Sequence, residues 1–278
     1  MPVVTTAAIL DAAIAENRAA LAFNVVTLEQ AEGVLLGAEE VGAPVILQIS
    51  ENAVLFHAGD PAPLAAACLA AAASSNAEAS LHFDHVTDLD LVAMAPDLGF
   101  SSVMIDASQH DDATNVRVTA SVARQMQGKG LHVEAELGEI GGKDGAHAPG
   151  VRTDPGDAAM FVRETGVDAL AVAVGSSHAM SSRTASLDHD LIRRIKDELE
   201  VPLVLHGSSG VPPEELRAAV AAGMTKINIG TLLGRAYSDA IRAYLDGHDN
   251  VKDPRKFLSE ARAAVAAAVA QSLRDVDY

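Results

Sequence analysis

The sequence is poor in residues that several common kinds of protein depend on. Among 278 residues there is no tryptophan, aromatic residues make up 3%, and Cys68 is the single cysteine. One cysteine excludes an intramolecular disulfide framework and a cage of thiolate metal ligands. We expect Cys68, which lies in an alanine-rich run, to be a small core residue. With 49% apolar residues and few aromatics, the core must be aliphatic.

Basic residues are also scarce relative to acidic ones. Twenty Lys and Arg stand against 38 Asp and Glu, which gives a formal net charge of -18. This charge argues against a general nucleic-acid binder or a binder of anionic membranes, although local groups can still hold a small anionic substrate. The first residues show no basic region followed by a signal-type apolar core, and no run reaches the roughly 18 apolar residues of a membrane span, so we expect neither. We therefore predict a cytoplasmic protein without nucleic-acid or membrane partners.

Short β-branched runs alternate with helical segments along the whole chain. Eight such strands, apolar on both faces, are typical of a parallel sheet. Eight βα units predict an α/β fold, a (β/α)8 barrel that forms one domain over residues 1–278, with an extra helix at each end. A doubly wound open sheet is the alternative, but no Gly-x-Gly-x-x-Gly turn follows the first strand. The predicted strands are 20–26, 44–50, 82–84, 102–105, 131–137, 169–174, 203–205 and 226–229.

Three of the predicted strands lead into a histidine, namely His85, His178 and His206. The carboxyl ends of barrel strands meet at one rim, so we expect the three imidazoles to lie together. Neutral imidazoles from separate strands suit Zn²⁺ or a similar divalent ion, with one position open for substrate. His82, which comes earlier in its strand, is predicted to be a buried, hydrogen-bonded support. The carboxylates expected at the same rim are Asp84, Asp106 and Glu136.

Two turns of small residues follow the last two strands. Gly207-Ser-Ser-Gly210 precedes a helix that starts near Pro212, and Asn228-Ile-Gly-Thr231 leads into the next helix. Loops at these places in a barrel often bind phosphate through backbone N–H groups. A metal, a phosphate site and an acid at one rim suit chemistry on a carbon next to a carbonyl. The metal would polarise the carbonyl and stabilise an enediolate, and a carboxylic acid would move the proton.

These residues give the sequence a specific resemblance to one family. The chain resembles the zinc-dependent class II fructose-bisphosphate aldolases, in particular the short branch that includes tagatose-bisphosphate aldolases. The resemblance runs over about residues 24–241. The motifs that carry it are His82-Phe-Asp84-His85, Val103-Met-Ile-Asp106, Glu134-Ala-Glu136-Leu-Gly138 with Gly141-Gly142, Val174-Gly-Ser-Ser-His178, Leu205-His206-Gly207-Ser208-Ser209-Gly210 and Lys226-Ile-Asn228-Ile-Gly-Thr231.

The resemblance implies a role for each matching position. One catalytic Zn²⁺ would be ligated by His85, His178 and His206, and Asp84 would be the acid that protonates the aldehyde oxygen on cleavage. Two carboxylates match an alternative or second metal site, which would take a divalent or monovalent cation; they are Asp106 and Glu136. The positions that match contacts to dihydroxyacetone phosphate are Ser50, Gly207, Ser208, Ser209, Asn228, Ile229, Gly230 and Thr231.

Three places depart from the family pattern. Ala179 stands where the family usually has glycine beside the triose phosphate, and its methyl group would crowd that site. After Gly141-Gly142 the family often has acidic residues, one of which is the C–H base. Here Lys143 is followed by Asp144, which is the candidate base. The run that follows Ser50 is also not the expected small-residue loop. These changes leave the metal site intact and open the question of sugar specificity.

The sequence therefore predicts a metal-dependent ketose-bisphosphate aldolase, a carbon–carbon lyase. It would reversibly cleave fructose- or tagatose-1,6-bisphosphate to dihydroxyacetone phosphate and glyceraldehyde 3-phosphate. The alternatives are an aldolase for another phosphorylated ketose and a non-catalytic sugar-phosphate-binding or regulatory subunit. A barrel metallohydrolase would need a His-x-His pair on strand 1, and a Schiff-base aldolase would use Lys226. We expect a homodimer or homotetramer, because the alanine-rich C-terminal helix can pack on a partner.

Overall fold

The computed structural model describes residues 3–137, 152–176 and 183–278. Within these ranges eight strands pair in parallel with their neighbours in chain order, and the first pairs with the last to close a barrel. The predicted (β/α)8 barrel is thereby confirmed. The strands are β1 (Ala20–Asn24), β2 (Val45–Ser50), β3 (Ala79–Val86), β4 (Ser102–Ile105), β5 (His132–Glu136), β6 (Ala169–Ala171), β7 (Leu203–Leu205) and β8 (Met224–Ile229).

The helices cover the outer face of the barrel, where aliphatic side chains of both layers form the main core. Cys68 is buried in that core, as predicted. In the described ranges the helices are α1 (Thr6–Ala15), α2 (Leu28–Val41), α3 (Glu51–Phe56), α4 (Ala62–Ser74), α5 (Leu89–Met94), α6 (Asp112–Gln127), α7 (Pro155–Thr165), α8 (His189–Glu198), α9 (Pro213–Ala221), α10 (Thr231–Asp246) and α11 (Pro254–Arg274), with 3₁₀ helices at Ala95–Leu98 and Ser208–Gly210.

Local sequence signals set where the helices begin and end. At the start of α2, the side chain of Thr27 accepts from the backbone N–H of Gln30, whose own side chain returns the bond in a capping box. At the start of α7 the side chain of Asp154 accepts from the backbone N–H groups of Gly156 and Asp157, and Pro155 takes the first helical position, where its missing N–H is no loss. One helix, α3, is absent from our prediction. The Ser50 hydroxyl accepts from the N–H of Ala53 and so converts the residues after β2 into a helical turn.

The two predicted extra helices lie at different places on the barrel. The first, α1, closes the amino-terminal mouth, where Ile9, Leu10 and Ala13 pack against inward-facing residues of β1 and β2. The last, α11, packs along α2 and α10. A glycine allows that contact: a Cβ on Gly37 would lie 2.4 Å from the carbonyl oxygen of Ala266, well inside any normal contact. None of the helices in the described ranges combines the length and apolar character of a membrane span.

The barrel interior is more polar than the sequence pattern indicates. Gln48, His82, Glu134 and Lys226 lie on four different strands and are each at most 2% exposed. They alternate with apolar residues that pack beneath the helices. Our prediction that the strands are apolar on both faces is therefore wrong for this layer. Lys226 lies within hydrogen-bond distance of both Glu134 and His82, and Gln48 donates from Nε2 to Oδ1 of Asn24 at 3.2 Å. Such pairing is how proteins bury polar groups.

Candidate functional site

One cavity at the carboxyl-terminal rim gathers most of the predicted site residues. It lies where β1, β3, β7 and β8 end, and Asn24 contributes to it in addition to residues that we predicted. Three further predictions, His178, Ala179 and Asp144, lie outside the described residues. The predicted residues that line the cavity are Asp84, His85, His206, Gly207, Ser208, Ser209, Asn228, Gly230 and Thr231.

Two of the predicted phosphate contacts do not line this cavity. Ser50 ends β2, and its hydroxyl is engaged in capping α3. The side chain of Ile229 is 3% exposed and packs in the outer core. Ile229 could therefore meet a ligand only through its backbone.

A distorted backbone at the end of β3 places His85 in the cavity. Successive side chains of a strand point to opposite faces, yet the neighbours Asp84 and His85 both line the same cavity. The register of β3 against β4 shifts between Phe83 and Val86, and His85 has a φ of 48°. A non-glycine residue in this left-handed region costs roughly 1–3 kcal/mol and persists only when the surroundings hold it. Such backbone strain is typical of functional sites.

Two imidazole rings face each other across the site. Nε2 of His85 lies 2.9 Å from Nδ1 of His206, and the rings meet edge-on. The far nitrogen of each ring faces a carboxylate: Nδ1 of His85 lies 3.0 Å from Asp106, and Nε2 of His206 lies 2.9 Å from Glu134. A carboxylate only accepts hydrogen bonds, so each takes the ring N–H. The two facing nitrogens can then share a proton or a cation.

The charges around His85 favour a positive group at this point. Burial by itself lowers the pKa of His85, but the hydrogen bond to Asp106 and the negative charges of Asp84 and Glu136 outweigh it and raise the pKa to about 9. Burial acts in the opposite direction on Asp106. There, hydrogen bonds from His85 and Ser108 prevail and hold the pKa of that carboxyl well below its ordinary value.

The donor set fits a divalent cation. One ligand atom each of Asp84, His85 and His206 lie within 4.8 Å of one another, and a second such group is formed by His85, Asp106 and Glu136. The Asp84 carboxylate is 4% exposed. Its Oδ2 accepts from Nδ2 of Asn24 at 2.8 Å, whereas its Oδ1 has no hydrogen-bond partner among the described residues. An unsatisfied buried oxygen beside two facing imidazoles is the nitrogen and oxygen chemistry that zinc selects.

Beneath His206 lies a buried layer of paired polar groups. Nζ of Lys226 is 2.7 Å from Oε2 of Glu134 and 3.5 Å from Nε2 of His82. Nδ1 of His82 is 2.7 Å from the hydroxyl of Ser102. Burial and the positive charge of Lys226 hold the pKa of His82 well below its ordinary value, so His82 is neutral. His82 is thus buried and hydrogen-bonded, as predicted.

Glu134 stays ionised in this layer. Burial alone would raise its pKa, but the charge of Lys226 outweighs that effect and lowers the pKa. Lys226 is fully buried and does not line the described cavity, which argues against a Schiff-base role. Our sequence reasoning missed the pairing of these two residues and the contribution of Asn24. The available signal was a charged or amide side chain within an otherwise apolar strand.

The turns after β7 and β8 form the other wall of the cavity. Ser208 donates its hydroxyl hydrogen to the carbonyl oxygen of Asn228, and the hydroxyl of Ser209 accepts from the N–H of Leu232 at 3.2 Å. These bonds join the two turns. Gly230 precedes α10, whose first turn has no side-chain cap from that position. A helix N-terminus with backbone N–H groups facing a cavity is suited to an anion such as phosphate.

Comparisons with known proteins agree over nearly the whole chain. The model of the family described as fructose-bisphosphate aldolase class-II matches residues 4–277. The fructose-bisphosphate aldolase of Geobacillus stearothermophilus is 36% identical, covering 99% of this chain and 97% of the relative. That of Giardia intestinalis is 37% identical, covering 95% and 90%. The crystal structure of the YdjI aldolase from Escherichia coli K12 superposes with a TM-score of 0.87 at 29% identity, covering 99% and 97%.

Proposed function

The chain belongs to the class-II fructose-bisphosphate aldolase family, whose members are carbon–carbon lyases, and from this premise we propose its reaction. It reversibly cleaves a ketose 1,6-bisphosphate to dihydroxyacetone phosphate and glyceraldehyde 3-phosphate. The observation that carries the proposal is the rim cavity that Asp84 and the facing pair His85 and His206 line together with the turns after β7 and β8. We leave open whether the sugar is fructose, tagatose or another phosphorylated ketose.

The members of this family are generally zinc-dependent, and we propose that Zn²⁺ is the catalytic ion here. His85 and His206 would hold it together with His178, which we predict from the sequence to lie at the same rim. When bound, the ion would supply a Lewis acid beside the substrate carbonyl. Asp106 and Glu136 would serve a second cation, divalent or monovalent, that shares His85.

Asp84 is the proposed proton carrier for the oxygen on C4. Asn24 holds Oδ2 of this carboxylate, so Oδ1 is left for the substrate. The chemistry of the bond corrects the direction that we predicted from the sequence. When the C3–C4 bond breaks, the C4 hydroxyl becomes an aldehyde and must lose its proton. Asp84 therefore acts as the base in cleavage and as the acid that protonates the aldehyde oxygen in condensation.

The turns after β7 and β8 are proposed to hold the phosphate of the triose. Because both serine hydroxyls already join the turns, the backbone N–H groups of Gly207–Ser209 and Gly230–Thr231 would make the contacts. Ser50, Ile229 and Ala179 remain predicted contacts, and Asp144 remains the predicted C–H base.

A coupled triose-phosphate assay tests the proposal. Purified protein is given fructose- or tagatose-1,6-bisphosphate before chelation, after chelation and after Zn²⁺ is restored. We expect activity that the chelator abolishes and zinc restores, and the ratio of the two rates identifies the preferred sugar. Zinc-loaded protein that binds a triose phosphate but turns over neither sugar, nor any other phosphorylated ketose tried, would instead support the binding-subunit alternative.

The proposal includes three further predictions. They are a single domain over residues 1–278, a cytoplasmic location, and a homodimer or homotetramer. Light scattering coupled to size-exclusion chromatography would measure the oligomeric state directly.

A further inference from the structure

We propose that Glu134 and Lys226 are a positioning pair for His206. They hold the ring with Nε2 protonated and Nδ1 turned toward His85 and the cation. This inference rests on the proposed metal site. It gives the interior layer a function in addition to packing, which is to orient a proposed metal ligand. Neither residue lines the cavity in the described part of the chain, so neither is a catalytic residue.

The two oxygens of Glu134 have different partners. Oε1 lies 2.9 Å from Nε2 of His206, and Oε2 lies 2.7 Å from Nζ of Lys226. A neutral imidazole carries one N–H, and an ionised carboxylate can only accept. Glu134 therefore selects the His206 tautomer whose hydrogen is on Nε2. The lone pair of Nδ1 then points to the side where Nε2 of His85 lies 2.9 Å away.

Lys226 fixes the orientation of the Glu134 carboxylate and thereby supports the choice of the His206 tautomer. Glu134 is 2% exposed and Lys226 is fully buried, so neither charged group can rotate into contact with solvent. The ammonium keeps the carboxylate ionised and engages the oxygen that His206 does not use. The two partners, His206 on Oε1 and Lys226 on Oε2, together fix the orientation of the carboxylate. Outer partners of metal-binding histidines commonly orient the ring in this way.

Asn228 is the competing influence on the same ring. Its Nδ2 lies 3.1 Å from Nε2 and 3.4 Å from Nδ1 of His206. The shorter distance is to Nε2, and a hydrogen bond donated there would require Nε2 to accept and would favour the other tautomer. A hydrogen bond to an ionised carboxylate is about twice as strong as one between neutral groups, so Glu134 decides the tautomer.

The test separates positioning from folding by removing both charges together. The variant is Glu134→Gln combined with Lys226→Met, because loss of a whole buried ion pair is far better tolerated than loss of one partner. The matched control is Ser102→Ala, which alters the same interior layer next to His82 without touching His206. Zinc alone is the probe, and its dissociation constant is measured by chelator competition. Thermal unfolding of each protein checks that the fold is kept.

We expect the double variant to fold and to bind zinc roughly 10- to 100-fold more weakly, while Ser102→Ala stays within about threefold of the parent. A double variant that folds and binds zinc within about threefold of the parent would overturn the inference. So would an equal loss of affinity in Ser102→Ala, because the effect would then belong to the layer as a whole.

A second measurement does not depend on the variants or on zinc binding. Nitrogen-15 NMR of the histidine rings in the zinc-free parent reports which nitrogen of His206 carries the hydrogen. The inference requires Nε2, and a ring protonated only on Nδ1 would refute it. If the expected tautomer and affinity loss are seen but no sugar is cleaved, the proposed function fails and the positioning role stands.

Discussion

Glu134 and Glu136 stand two residues apart on the same face of β5, yet they serve different regions of the barrel. Glu134 points into the closed interior, where it meets Lys226 and the far side of His206. Glu136 belongs to the rim, in a group with His85 and Asp106. Two residues of a strand span roughly 7 Å. Over this distance the role changes from Glu134, which is proposed to orient a metal ligand, to Glu136, which can itself bind a cation.

The two imidazoles show the same contrast between interior and rim. His206 is 1% exposed and is held by fully paired groups beneath it. The His85 side chain is 26% exposed and depends on a left-handed backbone and on Asp106. Substitutions in these two regions should therefore have measurably different effects.

Replacement of the interior histidine should have the largest effect. His206→Ala removes a proposed zinc ligand, so we expect zinc content to fall and activity to drop by roughly 10³-fold or more. Metal analysis and the coupled assay measure both. His110→Ala, at an exposed histidine, is the control and should match the parent. A His206→Ala protein with full zinc content would remove His206 from the ligand set.

Replacement of the proton carrier should separate turnover from metal binding. Asp84→Asn keeps the shape of the side chain but loses its ability to take a proton. We expect kcat to fall by roughly 10²- to 10⁴-fold, while the histidines still hold zinc. Asp90→Asn, at an exposed position on α5, is the matched control. Unchanged turnover in Asp84→Asn would rule out Asp84 as the proton carrier.

The two glutamates of β5 should differ in what they contribute to stability. Glu134→Gln leaves the charge of Lys226 buried without a counter-charge, which typically costs about 3–5 kcal/mol. Glu136 is also buried, at 3% exposed, but it lies in the group with His85 and Asp106, and we expect Glu136→Gln to cost less, about 1–2 kcal/mol. Urea unfolding of the metal-free proteins gives both free energies. Equal losses would show that the interior and the rim are not distinct in the way we describe.

The strained backbone of His85 should depend on a neighbour that the sequence alone did not identify. The carboxylate of Glu51 accepts hydrogen bonds from the N–H groups of Thr87 and Asp88, just beyond His85. We expect Glu51→Ala to lose about 1–2 kcal/mol of stability and a few-fold in zinc affinity. Glu29→Ala, in the first turn of α2, is the comparison for loss of a helix-start carboxylate. A Glu51→Ala zinc affinity equal to that of Glu29→Ala would mean that the strain is held by other contacts.

The smallest effect is expected at the single cysteine, in the aliphatic core far from either region. Burial raises the pKa of the Cys68 thiol to about 12. The reactive thiolate is therefore rare at pH 8, and its fraction grows tenfold for each pH unit up to that value. We expect iodoacetamide to label the folded protein very slowly and the urea-unfolded protein readily, as followed by mass spectrometry. Rapid labelling under native conditions would show that the outer core opens.

Several parts of the site could be predicted because they depend on chain order. Regular alternation of strands and helices places all strand ends at one rim, so the proximity of Asp84, His85 and His206 follows from the barrel itself. The helix starts were predictable to within a few residues, because caps such as Asp154 followed by Pro155 act over three residues of sequence.

Other parts required the folded structure. The turn of His85 onto the same side as Asp84 depends on a register shift against β4, which no local pattern specifies. The Ser50 hydroxyl, predicted beside a phosphate, caps a helix that our prediction lacked. The first outcome depends on pairing between strands, whereas the cap spans only three residues and was a local signal that our prediction overlooked.

What the sequence by itself determined is the barrel, the family and the residue types available at the rim. These properties follow from periodicity and from short motifs, because hydrophobic burial and strand order act on any chain with this pattern. Only the tertiary structure decided that Glu134 and Lys226, 92 residues apart, would meet beneath His206. The physical reason is that a buried charge must find its counter-charge in space, and barrel closure alone brings β5 and β8 side chains to the same interior layer.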